Sequence, residues 1–560
     1  MVLALVCFLA YANSLSGAFV WDDGTQVVKN WRIRELSNLP SAFTSAFWSF
    51  LGPSIEKQTN YYRPVQTVTY MIGYALGGLS PTWYHVLSLL FHFGACVFIY
   101  LASCELLPLA GAALLTASLF AAHPVHTEAV SWIAGVADVS CGTFYFGALW
   151  AFLEYRKRQK NSWLVWTCVF FLAALFSKEM AVTLPMLLCL LQAWHPKYRE
   201  ELGTNLKSIL PLGAVFIIYL VARVMALGIV ATSQMKVEAS WLDWISLGAM
   251  VFAGYIRYSL APYPLNAFHL LPVHLADRTL PTLLSAIVIV AVALSLFYLR
   301  KRFPDGLIWF AGFAVMLVPV LYFKGISYAF LAERYDYIPS FALMLLVVSL
   351  VTTFRVPYAN AALWCVVAAF VLLTAYHNRV WASDEALYSA TLQIQPEASH
   401  MRINLADIYL KRNDDATAKQ HLDLALHYLD DQRFAQFNLE RYRVHVGLGA
   451  IAARSGDFVN ARQHFETALQ IQPNGDWAYL YLGGVFAEAD KDYPRAIENF
   501  EKAIEYGPLN EVARDYMGVA MLNQGKYEEA AKNFEEALKI NPQYEDAKSH
   551  LALAVRGPTP

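Results

Sequence analysis

Charged residues are scarce in this chain of 560 residues. Asp, Glu, Lys and Arg together make up 15% of the sequence, whereas apolar residues make up 57%. An average soluble protein is more highly charged and less apolar. No tract of basic residues suggests nucleic-acid binding, so nucleic acid is not among the expected partners. The composition predicts an integral membrane protein.

Cysteine is also infrequent, and its positions argue against two common uses. All seven cysteines lie within the first 380 residues: Cys7, Cys96, Cys104, Cys141, Cys168, Cys189 and Cys365. None of them has the sequence spacing of a metal site. The sequence therefore predicts neither a disulfide framework nor a zinc site.

The scarcity of charge is confined to one part of the chain. Residues 1–380 contain 24 Lys/Arg and 17 Asp/Glu, a net charge of +7, whereas residues 381–560 contain 18 and 27, a net charge of −9. We therefore predict two domains, a polytopic membrane domain over 1–380 and an acidic soluble domain over 381–560.

Eleven apolar segments are candidates for membrane spans, because a bilayer core needs roughly 17–25 apolar residues per helix. They are 2–20, 82–104, 106–122, 139–153, 162–177, 180–195, 208–229, 281–299, 307–323, 338–354 and 359–377. The first lacks a basic flank and is followed by further apolar segments, so we expect a membrane helix there rather than a cleaved signal peptide. Segments 64–79 and 243–262 are also apolar, but glycines or charges interrupt them, and we expect both at the membrane interface.

Basic loops orient these spans. The loops that contain Arg156, Lys197 and Arg302 are expected on the cytoplasmic side, following the positive-inside rule. Counting spans from these loops places segment 21–81 and everything after Tyr376 on the opposite side. The prediction is a non-cytoplasmic C-terminal domain.

The C-terminal domain contains an internal repeat. Pro473, Pro508 and Pro542 are 35 and 34 residues apart. Aligning on these prolines superposes Ala461/Phe465/Ala468, Ala496/Phe500/Ala503 and Ala530/Phe534/Ala537. This is the tetratricopeptide pattern, in which small residues let paired helices approach and aromatic residues fill the gaps between hairpins. A weaker fourth unit contains Asn404, a candidate for binding protein in the groove of the array.

Charged residues near a bilayer are costly and are therefore functional candidates. On the predicted topology they gather on the non-cytoplasmic side, in segments between the spans. These polar candidates are Asp22, Asp23, Arg63, His123, His126, Glu128, Asp138, Lys178, Glu179, Glu333, Arg334, Tyr335 and Asp336.

Such a mixture of carboxylates and cations suits the transfer of a group from an anionic lipid carrier to a hydroxyl acceptor. A carboxylate would act as general base, while Arg and Lys would neutralise the leaving phosphate. Ion transporters also cluster acids and bases, so this interpretation is not unique.

Several motifs together carry a resemblance to a known family. They are Phe19-Val20-Trp21-Asp22-Asp23, Tyr61-Tyr62-Arg63-Pro64, Trp83-Tyr84-His85, His123-Pro124-Val125-His126-Thr127-Glu128-Ala129-Val130, Ser177-Lys178-Glu179, and Ala332-Glu333-Arg334-Tyr335 through Pro339-Ser340. In this order, and followed by repeats, they resemble the membrane-embedded protein O-mannosyltransferases that carry C-terminal tetratricopeptide repeats. The resemblance spans nearly the whole chain.

The resemblance implies an all-α protein, with a polytopic glycosyltransferase type C fold followed by a tetratricopeptide α-solenoid. It implies transfer of mannose, with inversion, from a polyprenyl-phosphate donor to Ser/Thr hydroxyls. Asp22 or Asp23 would be the base, and Arg63, Lys178 and Arg334 would contact the phosphate. The remaining polar candidates would line the donor site, and the repeats would bind the acceptor polypeptide. The expected location is a bacterial inner membrane, with periplasmic repeats, or an endoplasmic reticulum membrane, with luminal repeats.

Several alternatives stay open at this point. No tightly bound cofactor is expected, although Mg²⁺ or Mn²⁺ bridging Asp22, Asp23 and the phosphate is one possibility. Asp138 has an alternative role as a helix cap, and Lys178 with Glu179 as a self-contained ion pair. The chain as a whole has two alternative functions: a non-catalytic membrane scaffold that displays the repeats, and a lipid-linked sugar transferase that acts on glycolipid.

Overall fold

A computed structural model describes residues 1–51, 61–199, 202–228, 239–272, 274–321, 330–431 and 438–556. Within these ranges the secondary structure is helical, and no strand occurs. The predicted all-α class is therefore confirmed, with apolar membrane helices followed by a tetratricopeptide array. The chain forms two compact units. One comprises Met1–Val27 and Arg32–Leu387, and the other comprises Val28–Trp31 and Tyr388–Pro560.

The first unit contains eleven apolar helices that match the eleven predicted spans one for one within the described ranges. Five are long and apolar enough to cross a membrane: Pro81–Leu106, Ile133–Arg158, Lys207–Leu227, Leu275–Leu299 and Ala359–Ala382. Six are shorter: Val2–Ser16, Ala110–Ala122, Asn161–Ser177, Glu179–Trp194, Pro304–Leu317 and Ser340–Phe354. The last residue of predicted span 208–229 and the last two of 307–323 lie outside the described residues. The chain is thus a multi-pass membrane protein.

The two segments that we expected at the interface also form helices. Pro64–Gly77 ends at Gly78, whose positive φ of 59° stops the helix at 14 residues, too short for a bilayer core of roughly 20 residues. Trp241–Leu260 begins with a capping box, in which Ser240 and Asp243 bond reciprocally. Neither helix is among the described helices that qualify as spans by length and hydropathy.

Burial separates a central helix of this unit from peripheral ones. In the helix Ile133–Arg158, 89% of the most apolar stretch is buried within the protein. In the helix Leu275–Leu299, the buried share is 6%. The central helix packs against Pro81–Leu106 and Asn161–Ser177. Because small residues such as Ala137, Ser140 and Gly142 line it, neighbouring helices approach closely. Polar groups on this helix are therefore held in protein rather than in lipid.

The second unit consists mainly of paired antiparallel helices. Its described helices from the first full hairpin onward are Ser399–Lys411, Asp415–Leu429, Asn438–Arg454, Phe458–Ile471, Asp476–Glu488, Tyr493–Tyr506, Glu511–Asn523, Tyr527–Ile540 and Glu545–Arg556. Asp414, Asp457 and Asp492 cap the second helix of three hairpins by accepting a backbone amide at 3.1–3.2 Å. The repeating Ala and Phe side chains are fully buried between the helices, as the tetratricopeptide pattern predicts.

Candidate active site

The two aspartates that follow the first helix differ in environment. Asp23 is completely buried, and its carboxyl oxygens accept backbone amides of Val20 at 3.0 Å and Ala134 at 2.9 Å. Burial raises the pKa of Asp23 well above its usual range, although the two amides act in the opposite direction. Asp23 thus ties the segment after the first helix to the segment before the central helix.

Asp22 is half-buried and lies at the start of the next turn, where its carbonyl accepts the amides of Thr25 at 3.0 Å and Gln26 at 2.8 Å. The hydroxyl of Tyr70, on the helix that follows Arg63, donates to the Gln26 side chain in this turn at 2.9 Å. The tertiary structure therefore leaves Asp22 as the more accessible carboxylate of the pair.

Trp132 connects the acidic segment to Arg334. Its indole nitrogen donates to the Val20 carbonyl at 3.3 Å, and its ring stacks on Trp21 at 5.4 Å. On the other side, the guanidinium of Arg334 lies 5.4 Å from the centre of the Trp132 ring. One aromatic side chain therefore contacts both the acidic segment and a predicted phosphate-binding cation.

Glu128 holds Arg334 at two points. One carboxylate oxygen of Glu128 accepts the Arg334 amide at 2.8 Å, and the other accepts the guanidinium. Glu128 is completely buried, whereas the Arg334 side chain keeps 18% of its surface exposed. Since both of its oxygens are engaged by Arg334, Glu128 fixes the orientation of the guanidinium.

Lys178 and Asp138 form a second buried pair, with a separation of 2.6 Å. The Tyr335 ring lies 4.9 Å from the Lys178 ammonium and 4.9 Å from the Arg334 guanidinium, so one ring contacts two cations. Burial lowers the pKa of Lys178, and Arg63 and Arg334 lower it further, while Asp138 opposes them. Arg63 and Arg334 therefore both disfavour the charged form of Lys178.

Glu179 joins Arg63 to a fourth cation, Arg223. Its oxygens lie 3.5 Å from Arg63 and 3.3 Å from Arg223, and Arg63 also lies over the Tyr61 ring at 4.5 Å. Arg223 belongs to helix Leu202–Leu227 and did not enter the sequence prediction. A charge inside a long apolar run is costly, and that signal could have identified it.

We call Arg63, Lys178, Arg223 and Arg334, with the carboxylates that pair with them, the cation cluster. Its described members carry four positive charges, whereas Glu128, Asp138 and Glu179 supply three negative ones. Most of these side chains are largely removed from water, which makes an unbalanced positive charge costly. The cluster is therefore suited to bind an anion.

Four further candidates from the sequence, His123, His126, Glu333 and Asp336, form hydrogen bonds with neighbouring segments. The two ring nitrogens of His126 lie 3.0 Å from the Phe120 carbonyl and 3.0 Å from the Ser340 hydroxyl. The ring nitrogens of His123 contact the Ser259 carbonyl and the Val125 amide. Glu333 accepts the Asn266 amide, and Asp336 accepts Ser259 Oγ at 2.6 Å. Burial raises the pKa of both carboxyl groups. Among the described residues, none of these four side chains forms an ion pair with a cation of the cluster.

The remaining candidate, Asn404, lies in the other unit. It lies on the first helix of its hairpin, where its side-chain oxygen accepts a hydrogen bond from the Arg443 guanidinium at 2.8 Å. The same guanidinium pairs with Asp407 at 2.7 Å.

The acidic pair itself fits a divalent cation poorly. Both oxygens of Asp23 already accept amides, so Asp22 and Asp23 do not present two unengaged carboxylates to Mg²⁺ or Mn²⁺.

Family models match two stretches of the C-terminal domain. Family models described as Tetratricopeptide repeat match residues 415–476 and 513–544. Among solved structures, that of MamA aligns with 29% of this chain and 88% of its own, at 20% identity and a TM-score of 0.22.

Curated relatives share a single activity in their names. Protein O-mannosyl-transferase Tmtc1 of Drosophila melanogaster is 32% identical over 35% of this chain, and Protein O-mannosyl-transferase TMTC3 of Mus musculus is 33% identical over 33%. Protein O-mannosyl-transferase F38B6.6 of Caenorhabditis elegans is 25% identical over 73%. The matches span 23%, 20% and 59% of those relatives, less than two thirds of each. The resemblance to the tetratricopeptide-containing protein O-mannosyl-transferases is therefore confirmed.

Proposed function

We propose that the chain is a membrane glycosyltransferase that moves mannose from a polyprenyl-phosphate carrier to Ser/Thr hydroxyls of extracytoplasmic proteins. The observation that carries the proposal is the cation cluster, which has an excess positive charge and is connected through Trp132 to the segment that carries the half-buried Asp22. The curated relatives support the same activity by name.

In this mechanism Asp22 takes the proton of the acceptor hydroxyl. The hydroxyl oxygen then attacks the anomeric carbon of the donor, the bond from that carbon to the phosphate oxygen breaks, and the sugar is transferred with inversion. Polyprenyl phosphate leaves with the bonding electrons. Arg63, Lys178 and Arg334 neutralise its charge in surroundings where water is scarce and electrostatic attraction is strong.

Other residues of the site position these groups. Asp23 holds the loop that carries Asp22 through two backbone amides. Glu128 orients Arg334, and Asp138 orients Lys178. Arg223 holds Glu179 against Arg63 and adds positive charge. The mechanism assigns the neutralisation of the leaving phosphate to these protein cations, and none of its steps is routed through a metal ion.

The tetratricopeptide array binds the acceptor polypeptide in this proposal. Arrays of this kind offer extended concave surfaces, which suit peptide recognition. The array faces the periplasm or the lumen of the endoplasmic reticulum, and the carrier lipid enters the site from the membrane.

The test is sugar transfer by the purified full-length chain in lipid nanodiscs, supplied with radiolabelled polyprenyl-phosphate mannose and extracytoplasmic polypeptides. Wild type should label protein, and Asp22→Asn should lose at least about 100-fold in rate, the usual contribution of a general base. Asp277→Asn, which changes an exposed aspartate outside the cluster, is the matched control and should retain activity.

Three results would overturn the proposal. Label that appears only in glycolipid would favour the glycolipid transferase. No transfer from several lipid-linked sugars, with the wild-type fold intact, would favour the scaffold. Full activity in Asp22→Asn would remove this carboxylate from the role of base.

A further inference from the structure

Three buried metal-ligating side chains that take no part in the cation cluster converge within the first unit. Cys7 on the first helix lies 3.9 Å from Cys96, sulfur to sulfur, and Cys96 lies 3.8 Å from Nε2 of His92. All three donor atoms lie within 4.8 Å of one another, and all three residues are buried. This is the group of described residues whose donor atoms are close enough to share one ion.

Two of the three separations, Cys7–Cys96 and Cys96–His92, are close to the edges of a zinc coordination sphere, and the third pair of donor atoms lies within 4.8 Å. Zinc binds thiolate sulfur at ~2.3 Å in tetrahedral geometry, which places two sulfurs about 3.8 Å apart. A sulfur and an imidazole nitrogen on the same ion lie slightly closer, at roughly 3.6 Å. The observed Cys7–Cys96 and Cys96–His92 distances are within a few tenths of an ångström of these values.

The second coordination shell suits ligation through Nε2 of His92. The other ring nitrogen, Nδ1, lies 2.8 Å from the hydroxyl of Tyr337, which fixes the ring orientation. Nε2 also lies 3.1 Å from the carbonyl of Ala121, a contact that the ion would replace. The ring of Tyr11 lies 5.1 Å from that of His92, and its buried hydroxyl has no hydrogen-bond partner among the described residues. The Tyr11 hydroxyl is therefore the candidate for a fourth ligand.

Charge favours a divalent ion in this setting. Two thiolates neutralise Zn²⁺, and a neutral imidazole adds no charge, so the loaded site carries no net charge. A neutral complex is far less costly in a low-dielectric interior than an isolated ion. Thiolate and imidazole donors also suit zinc better than the hard cations Mg²⁺ and Ca²⁺.

We propose that Cys7, His92 and Cys96 form a structural Zn²⁺ site that joins helix Val2–Tyr11 to helix Pro81–Leu106. Binding replaces the two thiol protons, which are released to solvent, and forms two Zn–S bonds and one Zn–N bond. The first helix leads directly into the segment that carries Asp22 and Asp23, so the ion would hold the start of that segment in place.

The test is metal binding by the full chain, purified with a thiol-free reductant and depleted of metal by a chelator. Zn²⁺ should bind at about one equivalent per chain, as expected of a single structural site. Co²⁺ should bind in its place and give a thiolate-to-cobalt charge-transfer band with intense tetrahedral visible bands. Cys7→Ser and Cys96→Ser should each abolish the charge-transfer band or weaken it at least tenfold. Cys189→Ser and Cys365→Ser change exposed cysteines and should leave it unchanged.

A second measurement does not depend on how the variants fold. Zn²⁺ should raise the Tm of the wild-type chain, because it binds the folded state, whereas an equal concentration of Mg²⁺ should not. No cobalt–thiolate band in wild type, an undiminished band in the Cys7→Ser, Cys96→Ser double variant, or no specific rise in Tm would each overturn the proposal. A Cys7–Cys96 disulfide under the same reducing conditions would overturn it as well.

Discussion

Lys178 and Asp138 form an ion pair at 2.6 Å, with each side chain only 7% exposed. A buried pair of this kind is hard to break from one side, because the remaining charge has no compensation. Lys178→Met should lower the free energy of unfolding by about 3–5 kcal/mol. The double variant Lys178→Met, Asp138→Leu should recover much of that loss. Chemical denaturation in detergent measures both, and strictly additive losses would contradict a coupled pair.

Replacing each of the two adjacent aspartates should lower the stability of the protein by a different amount. Asp23→Ala leaves two buried amides unpaired and should lower the free energy of unfolding by about 2–4 kcal/mol. Asp22→Ala should change it by less than about 1 kcal/mol, because this side chain is half-buried, while abolishing transfer. Thermal unfolding of the two variants, measured beside the transfer assay, checks the contrast. Equal stability losses would remove the distinction between a base and a positioning residue.

Arg334 should not tolerate replacement by lysine. Arg334→Lys keeps the charge but loses the planar group that Glu128 holds and that the Trp132 and Tyr335 rings contact. We expect KM for the lipid-linked donor to rise at least about tenfold, the equivalent of losing one charge-assisted hydrogen bond. Initial rates against donor concentration measure this. Arg257→Lys, which changes a cation that bonds to the Tyr263 carbonyl instead, is the control and should leave KM unchanged.

Glu333 should make stability depend on pH in a specific direction. Burial and the nearby Glu128 raise the pKa of Glu333, so the folded state keeps a proton that the unfolded state releases. The resulting stability is complete below the unfolded pKa of about 4.3 and is lost as pH rises toward the folded value. Glu333→Gln cannot ionise, so its Tm should fall less than that of wild type between about pH 5 and pH 7. Parallel Tm–pH profiles would contradict the prediction.

Neighbouring glycines in the repeat array offer a matched pair of variants. A Cβ at Gly483 would lie 2.7 Å from Phe500 and 3.0 Å from the Ala496 carbonyl, whereas a Cβ at Gly484 meets nothing within 4 Å. Gly483→Ala should therefore lower the free energy of unfolding by about 1–3 kcal/mol through overpacking. Gly484→Ala should raise it by roughly 0.5–1 kcal/mol, because alanine stabilises a helix interior. The transition of the array in a circular dichroism melt measures both, and similar shifts would contradict the packing described.

The helices could largely be predicted because their signals are local. Apolar runs of sufficient length predict spans, and the recurrence of Ala and Phe every 34 or 35 residues predicts helical hairpins. The expectation that segment 243–262 lies at the membrane interface also rests on a local signal, the charges that interrupt it. The helix Trp241–Leu260 is present and does not qualify as a span.

The roles of individual polar residues were less predictable. Asp22 is adjacent to Asp23 in the sequence, and His126 is close to Glu128. In the structure, the two members of each pair have different contacts and therefore different roles. Asp23 accepts the amide of Ala134, which is 111 residues away in the sequence. His126 contacts the hydroxyl of Ser340, which is 214 residues away. No periodicity encodes such pairings, because they depend on which helix faces pack together.

The same limit explains why the sequence gives no signal for the zinc site proposed above. Sequence spacing detects ligands that are close along the chain, and Cys7 lies 89 residues from Cys96. By itself, the sequence determined that this protein is a helical membrane protein with a tetratricopeptide tail and a group of charges at the ends of its spans. Only the tertiary structure decided which carboxylate is accessible, which cations share a face, and that two cysteines and a histidine meet. Hydrophobicity acts on each segment separately, whereas a site forms where distant segments are packed together.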